Sequence, residues 1–96
     1  MRVRNIKSPQ SGRPVANQYV IYNYDNVYFQ SYNTTIAWID KENKVYLNEG
    51  YWDMYSATTN KYLLEFMRDQ YDKDIYSITD IRERVENGEF NVLSSL

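Results

Sequence analysis

The spacing of large apolar residues changes period near Gly50. From Asn17 to Leu47 the chain is rich in β-branched and aromatic residues, as in "NQYVIYNY" and "VYFQSY", and such stretches favour strands. Period 2 puts Val27, Phe29 and Ser31 on one face and Tyr28, Gln30 and Tyr32 on the other. Phe29 is the core candidate, which leaves a Tyr-Gln-Tyr ladder partly exposed. The two stretches meet at a hairpin turn. It closes either on Asp25-Asn26 or on a loop that includes Tyr24 with Asn26 at positive φ. A second hairpin joins "TIAWI" to "KVYLN" through a polar turn at 40–43.

After Gly50, residues Tyr62, Leu63, Phe66, Met67 and Tyr71 follow helical spacing, with Lys61, Glu65, Arg68 and Asp72 on the far side. Ser56 or Thr58 caps this helix, and Thr59 falls on its inward arc. A second helix starts at Ser77, with Asp80 completing a capping box; Ile78, Ile81 and Val85 form its apolar stripe and Asn87-Gly88 stops it. "FNVLSSL" is a short last strand or tail. A basic strand at 2–6, followed by the loop "SPQSGRP", precedes all of this. The fold class is therefore α+β: a small antiparallel sheet of about four to five strands, then two helices packed on one face. It forms a single domain over residues 1–96, β-rich to 49 and mainly helical from 50.

Composition adds one unusual feature. Aromatic residues make up 17% of the chain, and eleven of them are tyrosine. Tyrosine joins an apolar ring to a polar tip and suits the edge of a core or a binding surface. Cysteine and histidine are absent. That excludes disulfide scaffolds, thiol catalysis, zinc fingers and Ser-His or Cys-His nucleophile pairs. The basic N-terminus has no apolar run behind it, and no apolar stretch is long enough to span a membrane, so a cytoplasmic protein is expected. Residues 1–24 carry Arg2, Arg4, Lys7 and Arg13 and no acid, while all thirteen acids follow.

Candidate chemistry is sparse. Carboxylate pairs such as Asp72/Asp74 and Asp80/Glu83 sit beside Lys73 and Arg82 in a polar stretch, without sign of the shaped pocket that general acid–base work needs. No metal or cofactor is expected, and the chain is expected not to be an enzyme. The binding candidates are Tyr28, Gln30, Tyr32, Trp52 and Tyr55 for a protein partner, since Tyr and Trp dominate interface energetics. Trp52 has two readings, a lid over the core or an exposed anchor. Arg2, Arg4, Arg13, Thr58 and Lys61 are candidates for an anion or nucleic acid, with phosphates along the arginines and bases on the tyrosines. The acidic sequence pI, about 5.0, opposes a nucleic-acid role.

Long strings of the chain also match a family pattern. "RNIKSPQSGRPVANQ", "YFQSY" and "YWDMYSATTNKY", with the end of the chain from Val85 to Leu93, resemble a family of small proteins of unknown function. Its members are encoded by phages, prophages and plasmids of Gram-positive bacteria. Two departures stand out: Met54 is an extra residue, and the link around Gln70–Ile75 is longer, so either could build a specificity loop. Asn26 stands where the family often has Gly, which favours the turn with Asn26 at positive φ. The resemblance implies a mobile-element protein that binds host machinery. Inhibition of a defence effector such as a CRISPR nuclease is the leading expectation. A nucleic-acid-binding accessory protein and a homo-oligomeric structural module are the alternatives.

Overall fold

The computed structural model describes residues 1–52 and 56–94. Six strands form one sheet in chain order: β1 Arg2–Lys7, β2 Pro14–Asn23, β3 Asn26–Ser31, β4 Thr34–Ile39, β5 Val45–Asn48 and β6 Phe90–Leu93. Helices α1 Ala57–Gln70 and α2 Ile78–Glu86 lie between β5 and β6. The expected α+β class holds, with more strands than expected and a mixed rather than antiparallel sheet. β6 runs parallel to β5. A parallel neighbour needs a crossover of a dozen or more residues, which the two helices supply.

The helices cover one face. Phe29, Ile36, Leu47, Leu63, Met67, Ile75 and Ile81 are fully buried between the layers, and Phe29 stacks on Phe66 of α1 with ring centroids 5.7 Å apart. The inward assignments of Phe29 and Ser31, and of Tyr62, Leu63, Phe66 and Met67, are all observed. A register shift at Phe29/Gln30 places an extra residue, Ile36, on β4, and both Ile36 and Ala37 are buried.

Local signals set the helix ends. The Ser56 hydroxyl caps α1 by accepting from the Thr59 N–H at 3.0 Å, so Ser56 rather than Thr58 is the cap. Ser77 and Asp80 form a full capping box on α2. Asn87 ends that helix and Gly88 follows at φ +86°. The first hairpin departs from expectation. Asn23 pairs with Asn26, so the loop is Tyr24-Asp25, and positive φ falls on Tyr24 rather than Asn26.

Candidate interaction face

Alternation along six strands builds a second face that no helix among the described residues covers. Val3, Ile21, Tyr28, Trp38, Tyr46 and Asn91 form one continuous row across β1 to β6. Asn5, Tyr19, Gln30 and Thr35 form the row beside it. None of these ten positions is Asp, Glu, Lys or Arg, although charged residues make up 25% of the chain. The solvated face of a sheet ordinarily carries polar and charged side chains. This one offers rings and amides instead.

The aromatic part of the row is held in contact. Tyr28 and Trp38 have ring centroids 5.8 Å apart, and Trp38 and Tyr46 lie at 4.9 Å. Such pairs add about 0.5–1.5 kcal/mol each beyond area burial, so the row is pre-ordered. The Tyr46 hydroxyl donates to Asp40 Oδ2 at 3.1 Å, and that bond is the main reason its pKa is raised. The Asp40 carboxylate is in turn held below its ordinary range, chiefly by the Lys44 backbone N–H and also by that of Glu42. Toward β1 the face sinks into a hollow of about 370 Å³ lined by Val3, Tyr19, Ile21, Gln30 and Tyr32, with Asn17 and Asn33 at its rim.

The sequence candidates fall in several places. Tyr28 and Gln30 lie on this face; Tyr32 lies at its edge, 56% exposed in the β3–β4 turn. Trp52 is only 8% exposed and takes the lid reading, among core residues rather than on the face. Tyr55 and Met54 lie outside the described residues. Arg2 and Arg4 point to the helix side. The Arg2 guanidinium sits 4.4 Å from the Tyr22 ring centre, and Arg4 bonds Asp69 of α1 at 2.8 Å and the Tyr22 hydroxyl at 3.2 Å. Arg13 is exposed in the β1–β2 loop, which reaches α1 through Lys61 Nζ and Gln10 Oε1 at 3.1 Å; Thr58 is exposed nearby. The cations are therefore divided between two locations, and Arg2 and Arg4 are separated from the tyrosine face by the thickness of the sheet.

An acidic hollow of about 530 Å³ between Asn43 and the α1–α2 link contains Asp72, Asp74, Asp80, Glu83 and Glu89. Arg84 neutralises part of it, bonding Asp72 at 2.7 Å and Glu89 at 3.1 Å. Among the described residues no cluster of acids is arranged to hold a metal ion.

The chain belongs to a family of unknown function, DUF8033. The family model matches residues 1–83, which takes in β1 to β5, α1 and the first part of α2. No curated protein and no solved structure matches the chain. Of the ten face residues only Asn91 lies beyond the matched region, so the open face belongs to the part of the molecule that defines DUF8033.

Three aromatic residues of the face were not among the sequence candidates: Tyr19, Trp38 and Tyr46. The signal was present in "TIAWI" and "KVYLN", where alternation places Trp38 and Tyr46 opposite the buried Ala37 and Leu47. Their assembly into one row with Tyr28 depends on strand order, which single-strand patterns do not carry.

Proposed function

We propose that this protein is a non-enzymatic binding protein of a mobile genetic element, acting by docking its open sheet face on a host defence effector and occluding it, with a CRISPR nuclease as the specific target. The observation that carries the reading is the uncharged row Ile21–Tyr28–Trp38–Tyr46 on a face that no helix among the described residues covers. Tyr and Trp are enriched at the centres of protein interfaces while Lys, Glu and Asp are depleted there. The sequence resemblance to phage and plasmid proteins supplies the biological setting, and that part rests on association. The shifted carboxylates Asp40, Asp72 and Asp80 have structural accounts, as turn or cap acceptors.

The nucleic-acid alternative draws less support. Stacking on Tyr28 would leave phosphates on a face whose two central rows hold no cation, with Arg2 and Arg4 on the opposite side. The test is capture with tagged protein from a CRISPR-bearing Gram-positive host, together with phage escape on expression. The expected result is enrichment of an effector, lost in Trp38→Ala, with raised escape. Recovery of no effector and unchanged escape would sink the inhibitor reading.

A further inference from the structure

Two tight hairpins carry tyrosine in a position that favours glycine. The β2–β3 loop is Tyr24-Asp25 and the β3–β4 loop is Tyr32-Asn33. In each, the first central residue alone has positive φ, +58° at Tyr24 and +52° at Tyr32. A Cβ there crowds the following carbonyl, which is why two-residue hairpins favour Gly or Asn.

Tyr32 has a visible return for this strain. Its ring lines the hollow of the open face, and its carbonyl accepts from Gln30 Nε2 at 2.7 Å. Tyr24 has none. It is 96% exposed, with no hydrogen bond or ring contact among the described residues. The strand register that forces positive φ here fixes Tyr22, but it does not call for a ring at position 24, where Gly or Asn would sit without strain, so the exposed ring points to a function outside the molecule.

The area of the face bears on what that function is. Six strands about 4.8 Å apart, each about six residues at 3.3 Å, project roughly 480 Å². A stable interface takes about 800 Å² per partner. Side-chain relief lifts the accessible area above this flat projection, and a partner of standard size seated on the face extends to its ends, where Tyr24 stands at one of them. The neighbouring charge indicates the chemistry of that partner. The tip Asn23-Tyr24-Asp25-Asn26 carries one ionic group, the exposed Asp25. A base stacked on Tyr24 would bring its phosphate against this carboxylate, whereas a lysine or arginine would pair with it.

We propose that Tyr24 is a partner anchor, its ring entering an apolar slot on a protein whose rim carries Lys or Arg for Asp25. This rests on the reading that the open face docks a protein. The test uses tagged wild-type chain as bait in a lysate of a CRISPR-bearing Gram-positive host. The enriched protein is then purified and titrated against wild type, Tyr24→Asn, Asp25→Lys and Tyr76→Ala, the last an exposed ring on the helix side. Tyr24→Asn should weaken binding about 30-fold or more, as a hot spot does. Asp25→Lys should weaken it about tenfold and Tyr76→Ala less than about threefold. Tyr24→Asn should unfold at the same temperature as wild type or higher, because Asn tolerates this backbone. Binding of Tyr24→Asn within about threefold of wild type would overturn the anchor and leave the face reading standing. Enrichment of no protein, or of nucleic acid alone, would overturn both.

Discussion

The Ser31 hydroxyl on β3 lies 3.3 Å from the Thr59 hydroxyl in the first turn of α1, and both residues are buried. Ser56, the cap, reaches the same Thr59 oxygen at 3.1 Å. Three hydroxyls thus fasten the start of the helix to the sheet. Thr59→Val keeps the volume but removes the shared partner, and a buried polar group left unpaired costs about 1–3 kcal/mol. We expect Thr59→Val to lower stability by about 1–2 kcal/mol and Ser56→Ala by about 1 kcal/mol. Because the residues share one network, Ser31→Ala combined with Thr59→Val should cost less than the sum of the two. Urea denaturation with an unchanged slope would read this directly.

Acid and alkali should act on different groups. Asp72 is held below its ordinary range first by the Asp74 backbone N–H and then by Arg84. Asp40 and Asp80 are lowered chiefly by the backbone N–H groups of Lys44 and Tyr76. A carboxylate with a depressed folded pKa contributes stability above its ordinary value of 3.8, lost as pH falls through the folded value. Tyr71 behaves in the opposite sense. Burial first, and then its hydrogen bond to Glu89, push it from 10.0 up to about 12. Its contribution is complete below pH 10.0 and lost between 10.0 and about 12. An absorbance titration should show late phenols from Tyr71 and Tyr46, the one near pH 12 absent in Tyr71→Phe and earlier in Glu89→Gln. Thermal unfolding should fall off below about pH 4.

The sequence made the helix ends and the inward strand positions legible because each follows a local rule. Ser77 and Asp80 sit three apart, and Phe29 and Ser31 two apart. The β2–β3 turn failed because its register answers a distant demand. Pairing Tyr22 with Val27 rather than with Phe29 puts the Tyr22 hydroxyl at the rim, where Arg4 and Gln70 reach it at 3.2 and 2.8 Å. That pairing forces the loop onto Tyr24, against its local preference. The same limit hid the open face. Tyr28 was visible as an outward ring, but its neighbours Trp38 and Tyr46 are fixed by strand order. The direction of β6 depends on a crossover through two helices, which strand periodicity does not encode.

The two tryptophans should separate binding from folding. Trp38 is half-buried in the aromatic row, while Trp52 lies in the core. Trp52→Ala should cost about 3–5 kcal/mol as a core truncation. Trp38→Ala should cost about 2 kcal/mol, because part of the ring is already in water. Acrylamide should quench the Trp52→Phe protein, which reports Trp38, far more than the Trp38→Phe protein. A partner on the open face should protect Trp38 and leave Trp52 unchanged. Equal quenching of the two rings would contradict the assignment of the faces.

The last strand lies outside the region matched by the family, yet it closes the core. Phe90 is 3% exposed and meets the Tyr71 ring edge-on at 5.3 Å, while the Leu93 carbonyl accepts from the Glu49 N–H at 2.8 Å. Without β6, Val45 and Leu47 would sit on an open edge strand next to water, the arrangement that invites strand-to-strand aggregation. Phe90→Ala should therefore cost about 3–5 kcal/mol. A chain stopped at Gly88 should bind a hydrophobic dye, lose its sharp thermal transition and aggregate with rising concentration. Asn91→Lys, at the outward position between the two, should leave stability within about 0.5 kcal/mol of wild type. A chain ending at Gly88 that melts as sharply and as high as the full chain would show that β6 is dispensable and that the first 88 residues carry the fold alone.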